Sequence, residues 1–150
     1  KYYYILSMIP RIALHKITSR LDRNRAVIIY GPRQCGKTTL LNMITPQLEG
    51  GYLWLNGDDS ADAALLSDNS KERLKRVIGK NKYLIIDEAQ RLNHELLEQI
   101  RLLSNIELQN RKLINIFFVG QPEFNEMLRD RIVLGIKEDS LRKKLIKLQL

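Results

Sequence analysis

The sequence predicts an α/β fold, a parallel sheet of four to five strands with helices on both faces. Four short apolar runs carry this reading: Ala26–Tyr30, Tyr52–Asn56, Tyr83–Ile86 and Leu113–Val119. None shows the strict polar–apolar alternation of a half-exposed strand, so each suits a strand buried on both faces of a parallel sheet. Segments with helical spacing fill the intervals, the arrangement of βαβ units. The runs also end in glycine or in acids, and in parallel sheets ligands gather beyond the carboxyl ends of the strands.

The elements follow in order. Ile12, Leu14, Ile17 and Leu21 give Arg11–Leu21 a helical stripe, and Asp22–Arg25 is a polar turn before the first strand. Lys37–Ile44 reads as a helix that stops before Pro46, because the residue preceding a proline avoids the α region. Gly50-Gly51 starts the second strand and Gly57-Asp58-Asp59 stops it. Ala61–Ile78 is mostly helical with a break near Asp68-Asn69-Ser70. In Leu92–Ile106, Leu92, Leu96, Ile100, Leu103 and Ile106 share one face. Glu123–Leu128 is a short helix after the turn Gly120-Gln121-Pro122. Beyond it, Ile132–Ile136 reads as a fifth strand and Ser140–Leu148 as a basic amphipathic helix.

A length of 150 residues sets one domain. Apolar residues at 44% and charged residues at 28% exclude the disordered class. A single cysteine, Cys35, excludes an internal disulfide framework and fits a reducing cytoplasm. No apolar run approaches the roughly 20 residues that span a bilayer, so no transmembrane segment is expected. Lys1–Pro10 lacks the long apolar region and cleavage site of a signal peptide. The net charge of +8 favours anionic partners such as nucleotide, nucleic acid or acidic lipid, and equally describes a lysine-rich surface.

Gly31-Pro32-Arg33-Gln34-Cys35-Gly36-Lys37-Thr38 fits the phosphate-loop pattern G-x-x-x-x-G-K-[ST] between an apolar strand and a helix start at Thr38-Thr39. Gly31 lets the chain turn off the strand. Gly36 lets backbone approach a phosphate without an intervening side chain. The loop N–H groups form an anion nest, completed by the positive end of the following helix. Lys37 can bridge the β- and γ-phosphates, and Thr38 can ligate Mg²⁺. Asp87-Glu88 stands at the tip of the third apolar run. Asp87 is placed to hold Mg²⁺ and Glu88 to orient or deprotonate a water. Gln121 ends the fourth run. It reaches the γ-phosphate or the water only if that strand lies between the other two.

These residues bring out a resemblance. Gly31–Thr38, Ile86-Asp87-Glu88-Ala89-Gln90 and Val119-Gly120-Gln121-Pro122-Glu123 are similar to the motifs of AAA-type P-loop ATPases. Residues 11–91 resemble prokaryotic AAA ATPases with a C-terminal nuclease-like domain. Residues 84–128 resemble secretion- and transposition-associated AAA ATPases. The resemblance implies a three-layer αβα sandwich with strand order 2-3-4-1 and a fifth strand beside the first. It implies ATP and Mg²⁺ as ligands, with phosphate binding by Gly36 and Lys37, Mg²⁺ on Thr38 and Asp87, water activation by Glu88 and sensing by Gln121. Arg129 or Arg131 stands where an arginine finger would serve a neighbouring copy in a homo-oligomer. Little chain follows Arg131, so a complete helical lid is not expected. ATPase activity leads; a nucleotide-binding switch with negligible turnover and an ATP-regulated nucleic-acid-binding accessory are the alternatives.

The remaining polar groups read as structural. Cys35 is a tolerated variable position in the loop, and His15 and His94 lie at the surface. Asp58, Asp59 and Asp62 form a solvated turn. Tyr2–Tyr4 pack against the domain. Arg142, Lys143, Lys144 and Lys147 form a solvated face.

Overall fold

The computed structural model describes residues 13–19, 26–67, 70–97, 100, 107–108, 111–112, 114–133 and 145–150. A helix at 13–18 (α1) precedes strand β1 (Ala26–Tyr30) and helix α2 (Lys37–Ile44). Strand β2 (Tyr52–Asn56) leads into α3 (Ser60–Ser67) and α4 (Lys71–Ile78), then β3 (Tyr83–Asp87). A helix α5, helical at 94–97 and 100, follows a 3₁₀ turn at Ala89–Arg91. The short strands β4 (Glu107–Leu108) and β5 (Arg111–Lys112) pair antiparallel. Then come β6 (Asn115–Gly120), α6 (Pro122–Val133) and β7 (Leu145–Gln149).

Five strands form one sheet in the order β2-β3-β6-β1-β7, every pair parallel. Leaving out the small hairpin, this is order 2-3-4-1-5. Alternate strand residues face opposite ways, and both faces are buried. Ile28, Leu84, Ile86, Ile116 and Phe118 pack with Leu74 and Ile78 of α4, Leu96 and Ile100 of α5 and Phe124 of α6. Val27, Ile29, Ile85, Phe117 and Val119 pack with Ile17 of α1 and Leu40, Leu41 and Ile44 of α2. Helices on both faces of one parallel sheet make the three-layer αβα sandwich. Uniformly apolar strands are what such a sheet requires, and β3 is buried at every residue.

Local signals set the helix ends. Ser70 accepts a hydrogen bond from the Arg73 N–H and caps α4, so the chain breaks between α3 and α4 near the predicted Asp68–Ser70. Asn93 Oδ1 accepts from the Leu96 N–H at 2.8 Å and starts α5 two residues later than the apolar stripe predicted. Leu103 and Ile106 of that stripe, and most of the predicted Arg11–Leu21 helix beyond 13–19, lie outside the described residues.

Two expectations near the end of the chain are corrected. Ile132 and Val133 continue α6 instead of forming a strand, and 134–136 lie outside the described residues. The fifth strand is Leu145–Gln149, where a helix was expected over Ser140–Leu148. Leu141, Leu145 and Leu148 have helical spacing, but β1 offers a free ladder edge. Ala26–Tyr30 pair with Leu145–Gln149 in register, and Leu148 is buried in the α2-side core. Backbone pairing and burial outweigh a weak local periodicity. The hairpin β4–β5 was not anticipated; the sequence reading had a helix through Ile106 and then a strand from Leu113.

Among the described residues, no helix is long and apolar enough to cross a membrane.

Candidate functional site

The carboxyl ends of β1, β3 and β6 converge, and the site forms there. Because β6 lies between β1 and β3, the residue after β6 sits between the loop after β1 and the acids after β3. The Gly31 N–H donates to the Gly120 carbonyl at 3.2 Å and stitches the start of the loop to the end of β6.

The loop 31–36 turns through two left-handed residues, Gln34 at φ 62° and Gly36 at φ 87°. Gly36 is the N-cap of α2 and has no side-chain cap, so no cap side chain occupies the first N–H groups of α2. A Cβ at Gly36 would meet nothing within 4 Å; the space over it is open. Arg33, Gln34, Gly36, Lys37, Thr38, Thr39 and Glu88 line an open cleft of about 380 Å³.

Lys37 is 7% exposed and folds back into the loop. Its ammonium donates to the carbonyls of Gly31 at 2.8 Å and Pro32 at 2.6 Å, with Cys35 Sγ at 3.8 Å. A positive charge is thus held at the floor of the cleft by neutral acceptors. Those acceptors can be exchanged for phosphate oxygens, which make stronger, charge-assisted bonds.

The Thr38 hydroxyl donates to Asp87 Oδ2 at 3.4 Å, joining the start of α2 to the end of β3. Asp87 is buried at 6% exposure, and its Oδ1 accepts from the Glu88 N–H at 2.9 Å. Burial pushes the Asp87 carboxyl above its ordinary value of 3.8, and the neighbouring Glu88 charge adds to that. The Glu88 N–H, the Thr38 hydroxyl and the Lys37 charge pull the other way. A buried carboxylate beside a hydroxyl is a hard-oxygen donor set, and the cost of its burial is offset by a divalent cation. These residues therefore fit Mg²⁺.

Glu88 follows in left-handed backbone at φ 51°. That turn directs its side chain to the cleft and brings Gln90 back toward β6. Gln90 Nε2 donates to Glu88 Oε2, and Gln90 Oε1 accepts from the Gln121 N–H at 3.2 Å. Gln121 Nε2 also donates to Glu88 Oε2, at 3.3 Å.

The predicted residues thus fall into one neighbourhood. Lys37, Thr38, Thr39, Arg33, Gln34 and Gly36 line the cleft with Glu88. Gly31 and Pro32 anchor Lys37, and Cys35 lies beside it. Asp87 joins through Thr38, and Gln121 through Glu88. Arg129 is exposed on α6; Arg131 lies on the same helix, with its side chain outside the described residues. Gln90 was given no role from sequence. Its signal was its place in the Ile86–Gln90 motif, two residues after Glu88.

The residues set aside as structural are placed as follows. His15 and His94 are exposed. Asp59 Oδ1 caps α3 through Ala61 and Asp62, Asp62 accepts from the Asn56 N–H, and Asp58 pairs with exposed Arg91 at 2.7 Å. Among the described residues no group of three His, Cys, Asp or Glu side chains is arranged to hold a metal. Lys147 lies on β7 and donates to buried Asn125 at 3.0 Å. Tyr2–Tyr4, Arg142, Lys143 and Lys144 lie outside the described residues.

Comparison with known proteins agrees with this architecture. A family model described as an AAA domain matches residues 23–127. The chain is 29% identical over 157 aligned positions to General secretion pathway protein A of Aeromonas hydrophila, covering 89% of this chain and 29% of that protein. It is 29% identical over 77 positions to the Replication factor C large subunit of Methanosarcina acetivorans, covering 50% of this chain and 13% of that one. The chain therefore spans less than a third of either relative. Among solved structures, the P-loop NTPase domain of the Sigma-54 transport activator from E. coli superimposes with a TM-score of 0.56 at 15% identity, covering 92% of this chain and 98% of that one. Bacteroides sp. Pif1 in complex with ADP-AlF4 gives a TM-score of 0.55 at 15% identity, covering 97% and 42%.

Proposed function

We propose that this chain, which belongs to the AAA domain family, binds ATP on the Gly31–Thr38 loop and hydrolyses it to ADP and phosphate with Mg²⁺. One observation carries the reading: Lys37, Thr38 and Glu88 line one open cleft, and buried Asp87 joins them through the Thr38 hydroxyl.

The β- and γ-phosphates rest on the loop N–H groups, and Lys37 exchanges the Gly31 and Pro32 carbonyls for phosphate oxygens. Thr38 and Asp87 would hold Mg²⁺, which would offset phosphate charge. Glu88 orients a water in line with the γ-phosphorus and takes its proton. The water oxygen bonds to that phosphorus as the bond to the bridging oxygen breaks, and the electron pair leaves on ADP. Gln121, beside Glu88, responds to the γ-phosphate. Arg129 or Arg131 is offered to a second copy in a homo-oligomer. ATP is preferred over GTP by family membership, and no N-K-x-D base-reading motif is present in the sequence. The free Cys35 thiol in the cradle suits a reducing cytoplasm.

A second reading, a nucleotide-dependent switch with negligible turnover, is favoured by the two amide donors that already occupy Glu88 Oε2. The charge of +8 and the likeness to a replication factor C subunit support nucleic acid as a further partner. DNA affinity that is flat with salt would remove that partner. The deciding experiment is titration with ADP, ATP and GTP, with and without Mg²⁺, alongside phosphate release. ATP binding with no release above the Glu88→Gln level selects the switch. No nucleotide binding removes both readings.

A further inference from the structure

We propose that Gln90 is a positioning residue that ties Glu88 to Gln121, so that the water-orienting carboxylate and the γ-phosphate sensor move as one unit. The inference rests on the roles given to Glu88 and Gln121 above and adds the part that couples them.

Three contacts close a ring. Gln90 Nε2 donates to Glu88 Oε2, Gln90 Oε1 accepts the Gln121 N–H, and Gln121 Nε2 donates to the same Glu88 oxygen. The ring needs a donor and an acceptor at one planar end of the side chain at position 90, and a primary amide supplies both. Glutamate cannot donate to Glu88 when ionised. Asparagine is one methylene shorter.

The backbone on both sides is fitted to this amide. Glu88 occupies the left-handed region at φ 51°, uncommon for a residue with a Cβ, and the 3₁₀ turn Ala89–Arg91 follows at once. That turn carries Gln90 back across the end of β6. There, a Cβ at Gly120 would fall 2.9 Å from Gln90 Oε1 and 3.2 Å from Phe124 Cβ. Gly120 is not among the positive-φ glycines. Its missing side chain therefore supplies room for Gln90, not backbone freedom. Two separate strand ends, one strained and one stripped of a side chain, meet on the same amide.

The consequence is mechanical. Gln121 Nε2 cannot turn toward a γ-phosphate without releasing Glu88 Oε2, while the Gln121 N–H keeps Gln90 in place. Glu88 Oε2 is then held by Gln90 Nε2, which sets the direction of the carboxylate. A catalytic group displaced by about 1 Å loses roughly 100-fold in rate.

The test uses Gln90→Met, which keeps volume and removes both polar partners. In single-turnover phosphate release, Gln90→Met is expected to slow about 10- to 100-fold while ATP affinity stays within about twofold. Gln121→Met is expected to slow release as well, and the double variant no further, as for residues acting as one unit. Gly120→Ala, which crowds Gln90 from behind, gives the same split and serves if Gln90→Met melts early. Parent-like release in Gln90→Met, equal losses in affinity and rate, or additive losses in the double variant overturn the tie. Side-chain amide resonances of Gln90 in the nucleotide-free protein give an answer that needs no turnover. Both Glu88→Gln and Gln121→Met must move them, and unmoved resonances overturn the proposal. A parent that binds no ATP removes the functional reading instead, and the resonances still decide the tie.

Discussion

Residues 31–38 take their shape from one another, whereas Asp87, Glu88, Gln90 and Gln121 are brought together by the order of strands in the sheet. In the loop, the contacts that set its turn span a few residues: Lys37 reaches Gly31 and Pro32, and Gly36 sets the turn for its own helix. In the carboxylate cluster, Gln121 reaches Gln90 and Glu88 only because β6 runs beside β3. Among the described residues, the Thr38–Asp87 side-chain bond joins the two regions, and the Gly31 N–H ties the loop to the end of β6 at Gly120. The loop should therefore govern whether nucleotide binds, and the cluster what happens to it afterwards. Apart from the Mg²⁺ proposed to rest on Thr38 and Asp87 together, variants in one should spare the property of the other.

The largest effect is expected from Lys37→Ala. It removes charge-assisted bonds to two phosphates, each worth about 1.5–3 kcal/mol, so affinity should fall at least about 100-fold. Calorimetric titration with ATP checks this. Binding equal to that of the parent would place the phosphates elsewhere and end the division of labour.

Glu88→Gln comes next and tests the other side. It keeps a polar group of the same size in the same turn but cannot accept the proton of the attacking water. Turnover is expected to drop about 10²–10⁴-fold, with ATP affinity unchanged. Phosphate release and titration on the same sample read both. A matching loss of affinity would mean that the cluster also binds nucleotide and that the regions are not separable.

The same division explains what could be read in the sequence. The loop was legible because every requirement it meets is local: two glycines, a lysine and a threonine at fixed spacing after a strand. The break between α3 and α4 was legible for the same reason, since Ser70 caps its own helix. Asp87 and Glu88 were legible as a pair of acids on a strand tip. Gln121 was tied to a condition, that its strand lie in the middle, and the sheet order meets it. Gln90 ends the Ile86–Gln90 motif, but its role was not legible, because that role depends on the left-handed turn at Glu88 and on the empty position at Gly120, which is distant in sequence. β7 was misread for a related reason. Its partner β1 lies at the opposite end of the chain, and only that pairing makes Leu145–Gln149 a strand.

A smaller effect is expected within the loop from Gly36→Ala. At φ 87° an alanine costs the nucleotide-free protein about 1–2 kcal/mol, although no neighbouring atom stands in its way. Its methyl group would stand in the open space where a phosphate must approach. ATP affinity should then fall more than backbone strain alone accounts for. Thermal melts with and without ATP separate the two. An equal shift in both melts would show that the open space over Gly36 is not where phosphate sits.

The smallest effect has the opposite sign, and it comes from the cluster. Burial holds the Asp87 carboxyl above its ordinary value of 3.8 in the nucleotide-free fold. The folded state therefore holds this proton more tightly than the unfolded chain does. That contribution to stability is complete below 3.8 and is lost as pH rises through the raised value. At neutral pH the burial of this carboxyl costs the empty site stability, and Asp87→Asn removes that cost. It also keeps an oxygen for the Glu88 N–H and an amide for Thr38. Without nucleotide or metal, the variant should melt higher than the parent at pH 7. Each kcal/mol recovered corresponds to about 2–4 °C in a domain of this size. The gap should close as pH falls toward 3.8. If Asp87 holds Mg²⁺ as proposed, the variant should also lose the thermal stability that Mg²⁺ adds to the ATP complex. Equal melting of the two proteins across this pH range would show that the acid at the tip of β3 carries no stored cost. The cluster would then be as locally balanced as the loop.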